Sequence, residues 1–391
     1  MGTLHDNLAS VCGDDIVTRL RGGDPSIKQI FSTQIVRSAD WDWPRPDYVC
    51  IDEDLQCSYA LEFKPPLQTK REYLTGLGQS LSYLQKHLYS GLIVPTVADD
   101  GFQIARFICD TLKAEEFSNV ALSLYSYNPN DVYAGVTLLR GIENKRNPAN
   151  VKAIHIDKTE TFWCWWRDCS QYEVFDLLEL GFLHNDEDGD IYTEKIYPEF
   201  YERLVTGKTK GWDGKPRNKT RTDESYRAEK QNYKIPLTQL ELWNEGHLTN
   251  LGFKMLEIGK KYGAGSTSFM NALGYLILVN GKHLELIKYI EKYQKITDEI
   301  PDNAKQFLLY VEKFLTTQGC IGTRKPTAIK TDAKATYIRD EPKLWNKFDI
   351  MEMASKSSYF FKNQGYKFDW HKISDLLISG SQLLYGNDIS I

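Results

Sequence analysis

Short apolar runs, some of them alternating with polar residues, dominate the first 140 residues of the chain and predict strands. Leucines at helical spacing predict an amphipathic helix over residues 73–89, after a first helix at 4–21 and before a short one at 110–116. Strands interspersed with helices predict an α/β (α+β) fold, a mixed sheet flanked by helices. The predicted strands are residues 29–36, 48–51, 58–64, 91–95, 102–109, 120–127 and 132–139.

Beyond residue 150 the pattern becomes mostly helical. The polar, proline-containing stretch 142–151 is a predicted linker, and 391 residues are long for a single core. We therefore predict two domains, residues 1–150 and residues 151–391. The predicted helices of the second domain are residues 172–180, 269–293, 304–316, 344–357 and 371–384.

Two segments of the second domain resemble the later half of a winged-helix unit. The first runs from helix 172–180 through a glycine-containing turn into a strand at 191–193. The second is residues 247–256, where Thr249 is a good helix N-cap. We predict winged-helix-like elements here, although such units also bind proteins, so DNA binding does not follow from them alone.

The stretch 46–64 carries the candidate chemistry. Asp47 stands just before one predicted strand, and Glu62 and Lys64 lie two residues apart in the next, so they share a face. If the two strands pair as a hairpin, Asp47 comes close to both. Two carboxylates hold a hard divalent cation through oxygen. An adjacent ammonium can orient an attacking water and offset charge on a phosphate, so the set suits metal-assisted phosphodiester hydrolysis.

This arrangement resembles the PD-(D/E)xK nuclease superfamily, with Pro46-Asp47 as the first half of the motif and Glu62-Phe63-Lys64 as the second. The resemblance implies that Asp47, Glu62 and the backbone carbonyl of Phe63 bind Mg²⁺, with Mn²⁺ as a second option. It also implies that Lys64 holds the attacking water, and that the first domain has a restriction-endonuclease-like sheet. The alternative interpretation is an exposed hairpin that carries surface charge.

Two further features fit the superfamily pattern. Gln79 and Tyr83 lie four residues apart on one face of the predicted helix. Many members of the superfamily have a glutamine and a tyrosine with this spacing near the metal site. We predict that Gln79 supports the site. Asp14 or Asp15 in the first helix could supply a further carboxylate. The alternatives are a solvated glutamine and ordinary surface acids.

One locally basic segment, residues 203–234, lies between the winged-helix-like segments. The net charge of the whole chain is −5, so a DNA site requires such a local concentration of Lys and Arg. Glycines and Pro216 predict an irregular loop that, with Trp212 and Tyr226, suits phosphate contacts, and a solvated loop is the alternative. The predicted DNA-binding residues are Lys208, Lys210, Lys215, Arg217, Lys219, Arg221 and Arg227.

The spacing of the cysteines and the length of the apolar runs indicate which kinds of protein the chain can be. The seven cysteines are irregularly spaced, and no second pair completes a zinc site with Cys164 and Cys169. We predict reduced, mostly buried thiols in a cytoplasmic protein. We expect no membrane partner, because no apolar run is long enough to span a bilayer. The aromatic stretch 162–167 is predicted to be core of the second domain rather than a base-stacking surface.

The sequence therefore predicts a Mg²⁺-dependent endonuclease that cuts double-stranded DNA at a specific sequence, similar to type II restriction enzymes. The first domain would cut and the second would recognise the sequence. A repair or defence nuclease of the same superfamily is one alternative. A winged-helix DNA-binding regulator with an accidental motif match is another. A homodimer is considered as well, because two cuts in a duplex need two active sites or two visits.

Overall fold

A computed structural model describes residues 2–41, 44–117, 119–147, 161–167, 169–218, 222–297, 299–322, 337–338, 340–356 and 358–386. The chain divides into two compact units, which we call the sheet unit and the helical unit. The sheet unit is Met1–Phe162 with Phe314–Lys330, and the helical unit is Trp163–Lys313 with Thr331–Ile391. Part of the predicted linker, from residue 148 onwards, lies outside the described residues.

The sheet unit is built on a six-stranded mixed sheet whose spatial order follows the chain. Two antiparallel pairings join the first three strands, parallel pairings join β3 to β4 and β4 to β5, and the last pairing is antiparallel. The predicted mixed sheet flanked by helices is therefore confirmed. Its strands are β1 (Ile35–Ser38), β2 (Tyr48–Asp52), β3 (Cys57–Phe63), β4 (Tyr89–Pro95), β5 (Leu122–Asn128) and β6 (Asp131–Arg140).

Helices cover both faces of the sheet. Helix α1 (Gly2–Arg21) packs on one face, and α2 (Lys70–Tyr83) and α3 (Ile104–Leu112) pack on the other. Side chains alternate along a strand, so Leu61 and Phe63 of β3 join the core under α1 while Glu62 points to the α2 face.

Three element predictions in this unit need correction. Residues 102–109, predicted as a strand, mostly belong to α3, whose apolar side chains recur at helical spacing and are buried against β4 and β5. Only the last two residues of the strand predicted at 29–36 lie in a strand, β1, which continues to Ser38. The helix predicted to reach residue 89 ends at Tyr83, because residues 84–88 turn into β4.

The second unit is helical, as predicted for the C-terminal part of the chain. It also contains two short hairpins, β7 (Trp243–Asn244) with β8 (His247–Leu248), and β9 (Phe360–Phe361) with β10 (Gly365–Tyr366). No helix in the described ranges is long and apolar enough to cross a membrane. The helices are α4 (Gln171–Leu183), α5 (Tyr197–Val205), α6 (Asp223–Gln239), α7 (Asn250–Tyr262), α8 (Thr267–Leu278), α9 (His283–Ile296), α10 (Ala304–Thr317), α11 (Glu341–Asn346) and α12 (Trp370–Tyr385). The last residues of α10, from Phe314 onwards, belong to the sheet unit.

Several boundaries in this unit differ from the predictions. The single helix predicted at 269–293 is two helices, α8 and α9, because the chain turns at Lys282, whose φ of +58° is left-handed. The helix predicted at 344–357 ends with α11. The strand predicted at 191–193 is wrong, because Tyr192–Ile196 is a helical turn that continues into α5.

The second winged-helix-like segment is closer to its prediction. The β7–β8 hairpin leads directly into α7, and Thr249 caps this helix by accepting a hydrogen bond from the backbone N–H of Gly252 at 3.1 Å. The cap is confirmed. The winged-helix assignment itself stays a prediction.

The aromatic stretch 162–167 and the cysteines contribute mainly to the cores. Trp163 and Trp166 are buried in the helical unit, and Trp165 is partly exposed. All seven cysteines are buried and none is in a disulfide. The prediction that the stretch packs as core therefore holds for two of its three tryptophans.

Candidate active site

The predicted hairpin forms, and its register assembles the motif. Tyr48 of β2 pairs with Leu61 of β3, so Asp47, one residue before Tyr48, lies level with Glu62. The backbone N–H of Phe63 donates a hydrogen bond to Asp47 Oδ2 at 2.8 Å. The side chain of Asp47 is 21% exposed. The end of the hairpin therefore brings two carboxylates and the Phe63 peptide together beside solvent.

Lys64 is held at this hairpin end by its backbone and by its ammonium. Its backbone N–H donates to Ile93 of β4 at 2.9 Å, and its carbonyl accepts from the Tyr127 hydroxyl at 2.8 Å. Its Nζ lies 2.8 Å from Glu62 Oε1 and donates to Gln79 Oε1 at 2.7 Å. The side chains of Lys64 and Glu62 are only 11% and 3% exposed. The ammonium is thus fixed in a nearly buried position beside a carboxylate.

Helix α2 supplies Gln79 and, four residues later, Tyr83. The Tyr83 hydroxyl donates to Glu62 Oε2 and lies 3.2 Å from the carbonyl oxygen of Arg45. Burial and the nearby charge of Glu62 raise the pKa of Tyr83 well above its usual range, so the hydroxyl stays a donor. Tyr83 was not among the predicted site residues, although its spacing from Gln79 was the signal that pointed to it.

His5, in the first turns of α1, is a site residue that the sequence did not predict. Its Nε2 lies 3.1 Å from the Phe63 carbonyl oxygen and 3.7 Å from Asp47 Oδ2. Burial alone would lower the pKa of His5, but a hydrogen bond with Asp6 and the charges of Asp47 and Asp6 raise it to about 9. The imidazolium therefore offsets negative charge at the site. A lone histidine far from the motif gave no sequence signal.

Asp14 and Asp15 lie further along α1 and have other partners. Asp14 Oδ1 accepts from the Tyr48 hydroxyl at 2.6 Å, and Asp15 Oδ2 accepts from the backbone N–H of Val136 at 2.9 Å. An α-helix rises about 1.5 Å per residue, so both carboxylates start roughly 13 Å or more along the axis from His5. Their contacts give them structural roles in joining α1 to the sheet.

Both carboxyl groups of the motif resist ionisation. Burial raises the pKa of Asp47, although the charge of His5 opposes the shift. Burial and the charge of Asp47 raise the pKa of Glu62 to about 7, against the opposing effects of Lys64 and Tyr83. A cation between two such groups would favour their charged forms.

The donor set fits a hard divalent cation. The carboxylates of Asp47 and Glu62 and the carbonyl of Phe63 are oxygen donors, which Mg²⁺ and Mn²⁺ prefer. Each carboxylate oxygen has two lone pairs, so the hydrogen bonds that Glu62 accepts leave it able to bind a cation. Among the described residues, no group of three or more His, Cys, Asp and Glu is arranged to hold a metal ion. Water molecules would therefore complete the coordination shell of the cation, as they commonly do for Mg²⁺.

The basic segment begins in the last turn of α5, and residues 209–217 then form a tight hairpin rather than an irregular loop. Within it, the backbone N–H of Arg217 donates to Thr209 and that of Gly211 to Lys215, both at 2.9 Å. Gly214 adopts a φ of +75°, which favours glycine at the turn. The side chains of Lys208, Lys210 and Lys215 are exposed around this hairpin, which we call the 209–217 hairpin.

From Asp223 onwards the segment is helical and belongs to α6, which corrects the predicted loop over 203–234. Thr222 caps α6, and Arg227 is exposed on that helix. Tyr226 packs on Tyr197, with ring centroids 4.9 Å apart, so it belongs to the aromatic core rather than to a loop. Lys219 and Arg221, both predicted to bind DNA, lie outside the described residues.

Arg217 has a structural partner. Its Nη1 lies 3.1 Å and 3.0 Å from the two carboxylate oxygens of Glu173, a fully buried residue in the first turn of α4. Glu173 Oε2 also accepts from the backbone N–H of Ser170 at 2.8 Å. The guanidinium of Arg217 therefore compensates a buried negative charge, whatever it does toward DNA.

The cluster around Lys64 thus combines oxygen donors for a cation with a fixed ammonium. No protein-family model matches the chain, and no curated protein matches it either. The chemistry that the site can support therefore rests on the contacts of His5, Asp47, Glu62, Lys64 and Gln79.

Proposed function

We propose that the chain is a Mg²⁺-dependent endonuclease, also active with Mn²⁺, that cuts double-stranded DNA at a specific sequence, as type II restriction enzymes do. The observation that supports this best is the 2.8 Å contact between Lys64 Nζ and Glu62 Oε1. It sets an ammonium directly beside the carboxylate of Glu62, which lies level with Asp47 at the end of the hairpin. A surface hairpin with incidental charges would have no reason to hold a nearly buried lysine in this way.

The proposed reaction is hydrolysis of a phosphodiester bond. Asp47, Glu62 and the Phe63 carbonyl would hold the cation, which would polarise the phosphate and lower the pKa of a bound water. Lys64 would donate a hydrogen bond to the attacking water and counter the charge that develops on the phosphate. Gln79, at 2.7 Å from Lys64 Nζ, would keep the ammonium in place.

The bond changes are balanced within the substrate and one water. The water oxygen forms a new bond to phosphorus, and the phosphorus–oxygen bond to one neighbouring nucleotide breaks. The leaving oxygen takes up a proton that originates from the water. The products are one end with a hydroxyl and one end with a phosphate, and no redox partner is needed.

The helical unit is the proposed recognition part. Exposed lysines on and beside the 209–217 hairpin, together with Arg227 on α6, suit contacts to DNA phosphates. Phosphate contacts position a protein on the duplex, and base contacts then provide sequence specificity. The proposal therefore separates cutting by the sheet unit from recognition by the helical unit.

The test is a digest of unmodified plasmid and phage DNA with Mg²⁺, followed by sequencing of the fragment ends. We expect discrete fragments with constant ends, no cutting in EDTA, and cleavage slower by about a hundredfold or more in Lys64→Ala. Lys113→Ala, which removes a 66% exposed lysine near the end of α3, is the matched control and should cut normally.

The outcomes separate the alternatives. Lys64→Ala should keep specific DNA binding in Ca²⁺ and a normal thermal melt, because loss of folding would also stop cleavage. Fragments with random ends would indicate a repair or defence nuclease instead. Specific binding without cleavage under any divalent metal would indicate a DNA-binding regulator. Normal cutting by a folded Lys64→Ala protein would contradict the proposed role of Lys64.

A further inference from the structure

The helical unit contains an open cavity of about 540 Å³ that the proposed cleavage site does not use. Its volume lies within the roughly 300–1,000 Å³ of typical small-molecule sites. Residues of α6 and α11, the 209–217 hairpin and the segment around Trp166 form its wall. We call it the Trp212 cavity. The residues that line it include Trp166, Trp212, Asn232, Asn346, Lys343 and Lys347.

Fixed aromatic rings form part of the wall. The Trp166 indole N–H donates to the carbonyl of Cys169 at 2.9 Å, which holds that ring in place. The half-buried ring of Trp212 meets Phe348 edge-on, with centroids 6.0 Å apart. Trp166 is buried behind the wall, whereas Trp212 is partly accessible, and a rigid, accessible ring is the platform on which a nucleobase stacks.

Two side-chain amides add hydrogen-bonding capacity. Asn232 on α6 and Asn346 at the end of α11 both line the cavity and are half-buried. Across the described ranges, neither amide group forms a hydrogen bond with another residue. An amide offers both donors and an acceptor, which is the pattern that pairs with the edge of a base.

The charges on the wall are of both signs. Lys343 and Lys347 lie four residues apart at α11 and are exposed, and Lys347 Nζ is 5.9 Å from the Trp212 ring centroid. Arg167, whose guanidinium lies over the Trp165 ring, is a third cation in the lining, and Asp340, 3.2 Å from Lys343 Nζ, and Glu229 are its two acids. A simple anion site would not carry two acids. A ligand with one anionic group and an uncharged polar body suits this wall better.

We propose that the Trp212 cavity binds one nucleotide unit, with the base against Trp212 and the Asn232 and Asn346 amides and the phosphate near Lys343 and Lys347. This nucleotide is either one nucleotide of a DNA duplex whose base is extruded from the stack, or a free mononucleotide. The first source rests on the proposed DNA function, and the second does not. An extruded base is read by hydrogen bonds and stacking inside such a pocket, so it would contribute to sequence recognition.

The first experiment measures binding of the four deoxynucleoside 5′-monophosphates to the full chain by calorimetry. We expect saturable binding of at least one of them and none of deoxyribose 5-phosphate at equal concentration. Trp212→Ala and the double variant Asn232→Ala/Asn346→Ala should each weaken binding by about tenfold or more. Trp370→Ala removes a 39% exposed tryptophan from α12 and should bind normally.

Thermal melts check that these variants are folded, so that weaker binding can be attributed to the cavity. Both asparagines are only half-buried, and we expect the double variant to stay folded. Absence of saturable binding by all four mononucleotides would overturn the proposal. Equal affinity of wild type and both cavity variants would also overturn it, since the ligand would then sit elsewhere.

The second experiment identifies the source of the nucleotide. Duplex binding is measured in Ca²⁺ with wild type and the same variants, using duplexes with and without a mismatch. If the cavity takes an extruded base, the variants should bind duplex DNA more weakly than wild type. Wild type should then bind mismatched DNA more tightly than matched DNA, because extruding a mismatched base costs less free energy. A free nucleotide predicts unchanged duplex binding. Mononucleotide binding in a protein that never cuts DNA would leave the cavity assigned and remove only the nuclease proposal.

Discussion

Gly76 lies directly beneath the side chain of Lys64. A Cβ atom at position 76 would be 2.6 Å from Lys64 Cε and 2.8 Å from Lys64 Cγ, closer than real Cβ contacts allow. Gly76 belongs to α2, which also carries Gln79. The same helix therefore makes room for the methylene chain of Lys64 and holds its ammonium next to Glu62.

This relationship predicts that Gly76→Ala lowers the rate of cleavage by displacing Lys64, although residue 76 itself has no proposed contact with the substrate. The added methyl group must displace the Lys64 chain and lengthen its 2.7 Å hydrogen bond to Gln79. A misplacement of about 1 Å in a catalytic group can cost roughly a hundredfold in rate, so we expect a loss of about ten- to a hundredfold. Single-turnover cleavage measures it, and specific DNA binding in Ca²⁺ should stay unchanged.

Gly78→Ala is the matched control on the same helix. A Cβ atom at position 78 would meet nothing within 4 Å. Alanine is a better helix former than glycine by about 0.5–1 kcal/mol, so Gly78→Ala should melt slightly higher and cut normally. If Gly76→Ala cut as fast as Gly78→Ala, the Lys64 chain would have room to adapt and Gly76 would not position it.

The hairpin end of the site was predictable because its parts are local. Strand alternation sets Glu62 and Lys64 on one face, and the short connection between β2 and β3 returns the chain to Asp47. Helical spacing likewise pairs Gln79 with Tyr83. Each inference depends on residues that lie within one or two neighbouring elements.

The remainder of the site depends on packing between distant segments. His5 reaches the Phe63 carbonyl from 58 residues away because α1 packs against β3. The same holds in the helical unit, outside the cleavage site, where Arg217 reaches Glu173 across 44 residues. No local pattern encodes either contact. The α3 segment shows the same limit, because an apolar stretch of eight or nine residues fits a strand or a buried helix until its neighbours are known.

The raised pKa of Glu62 predicts that cation binding strengthens with pH. This pKa is about 7 in the folded chain and near its ordinary value of 4.5 in the unfolded chain. The folded state therefore binds the extra proton. Without metal, the Glu62 contribution to stability is fully present below about pH 4.5 and is lost as the pH rises through about 7. A cation competes with that proton, so Mg²⁺ should stabilise the chain more at pH 8 than at pH 6.

The measurement is the shift of Tm caused by Mg²⁺ at pH 6, 7 and 8. Wild type should show a shift that grows across this range. Glu62→Gln has no carboxylate to ionise, so its shift should be small at every pH. A wild-type shift that is independent of pH, or one that Glu62→Gln reproduces, would argue against Glu62 as a ligand.

A half-buried acid in the helical unit predicts a stabilising substitution. Burial raises the pKa of Asp176 on α4 to about 6, only partly offset by the charge of Arg203. The folded pKa lies above the unfolded value, so ionised Asp176 costs stability at pH 7. Asp176→Asn should therefore raise the free energy of unfolding at pH 7 by on the order of 1 kcal/mol, allowing for partial solvent screening.

Asp186→Asn, which removes an exposed carboxylate beyond the end of α4, is the control for net charge. The gain from Asp176→Asn should shrink as the pH falls below 6, because wild-type Asp176 is then already neutral. Denaturant unfolding at pH 5 and pH 7 measures both effects. A gain of the same size at both values would point to a cause other than ionisation.

The 209–217 hairpin carries one cation with a structural partner, Arg217, and one exposed cation that is proposed to contact DNA, Lys215. Arg217 compensates the fully buried carboxylate of Glu173, whereas the Lys215 side chain is 81% exposed. Removing one partner of a buried ion pair costs roughly 3–5 kcal/mol, so Arg217→Ala should lower stability by about 3 kcal/mol. Lys215→Ala should leave the melt unchanged and reduce the salt slope of DNA binding by about one unit if it contacts a phosphate.

The double variant Arg217→Ala/Glu173→Gln distinguishes charge compensation from simple loss of packing. Glutamine keeps an oxygen that can accept the backbone N–H of Ser170, now 2.8 Å from Glu173 Oε2, but it leaves no buried charge. The double variant should therefore recover part of the stability that Arg217→Ala loses, which a double-mutant cycle measures. An Arg217→Ala protein that melts normally and loses one unit of salt slope would instead place Arg217 on the DNA, together with Lys215.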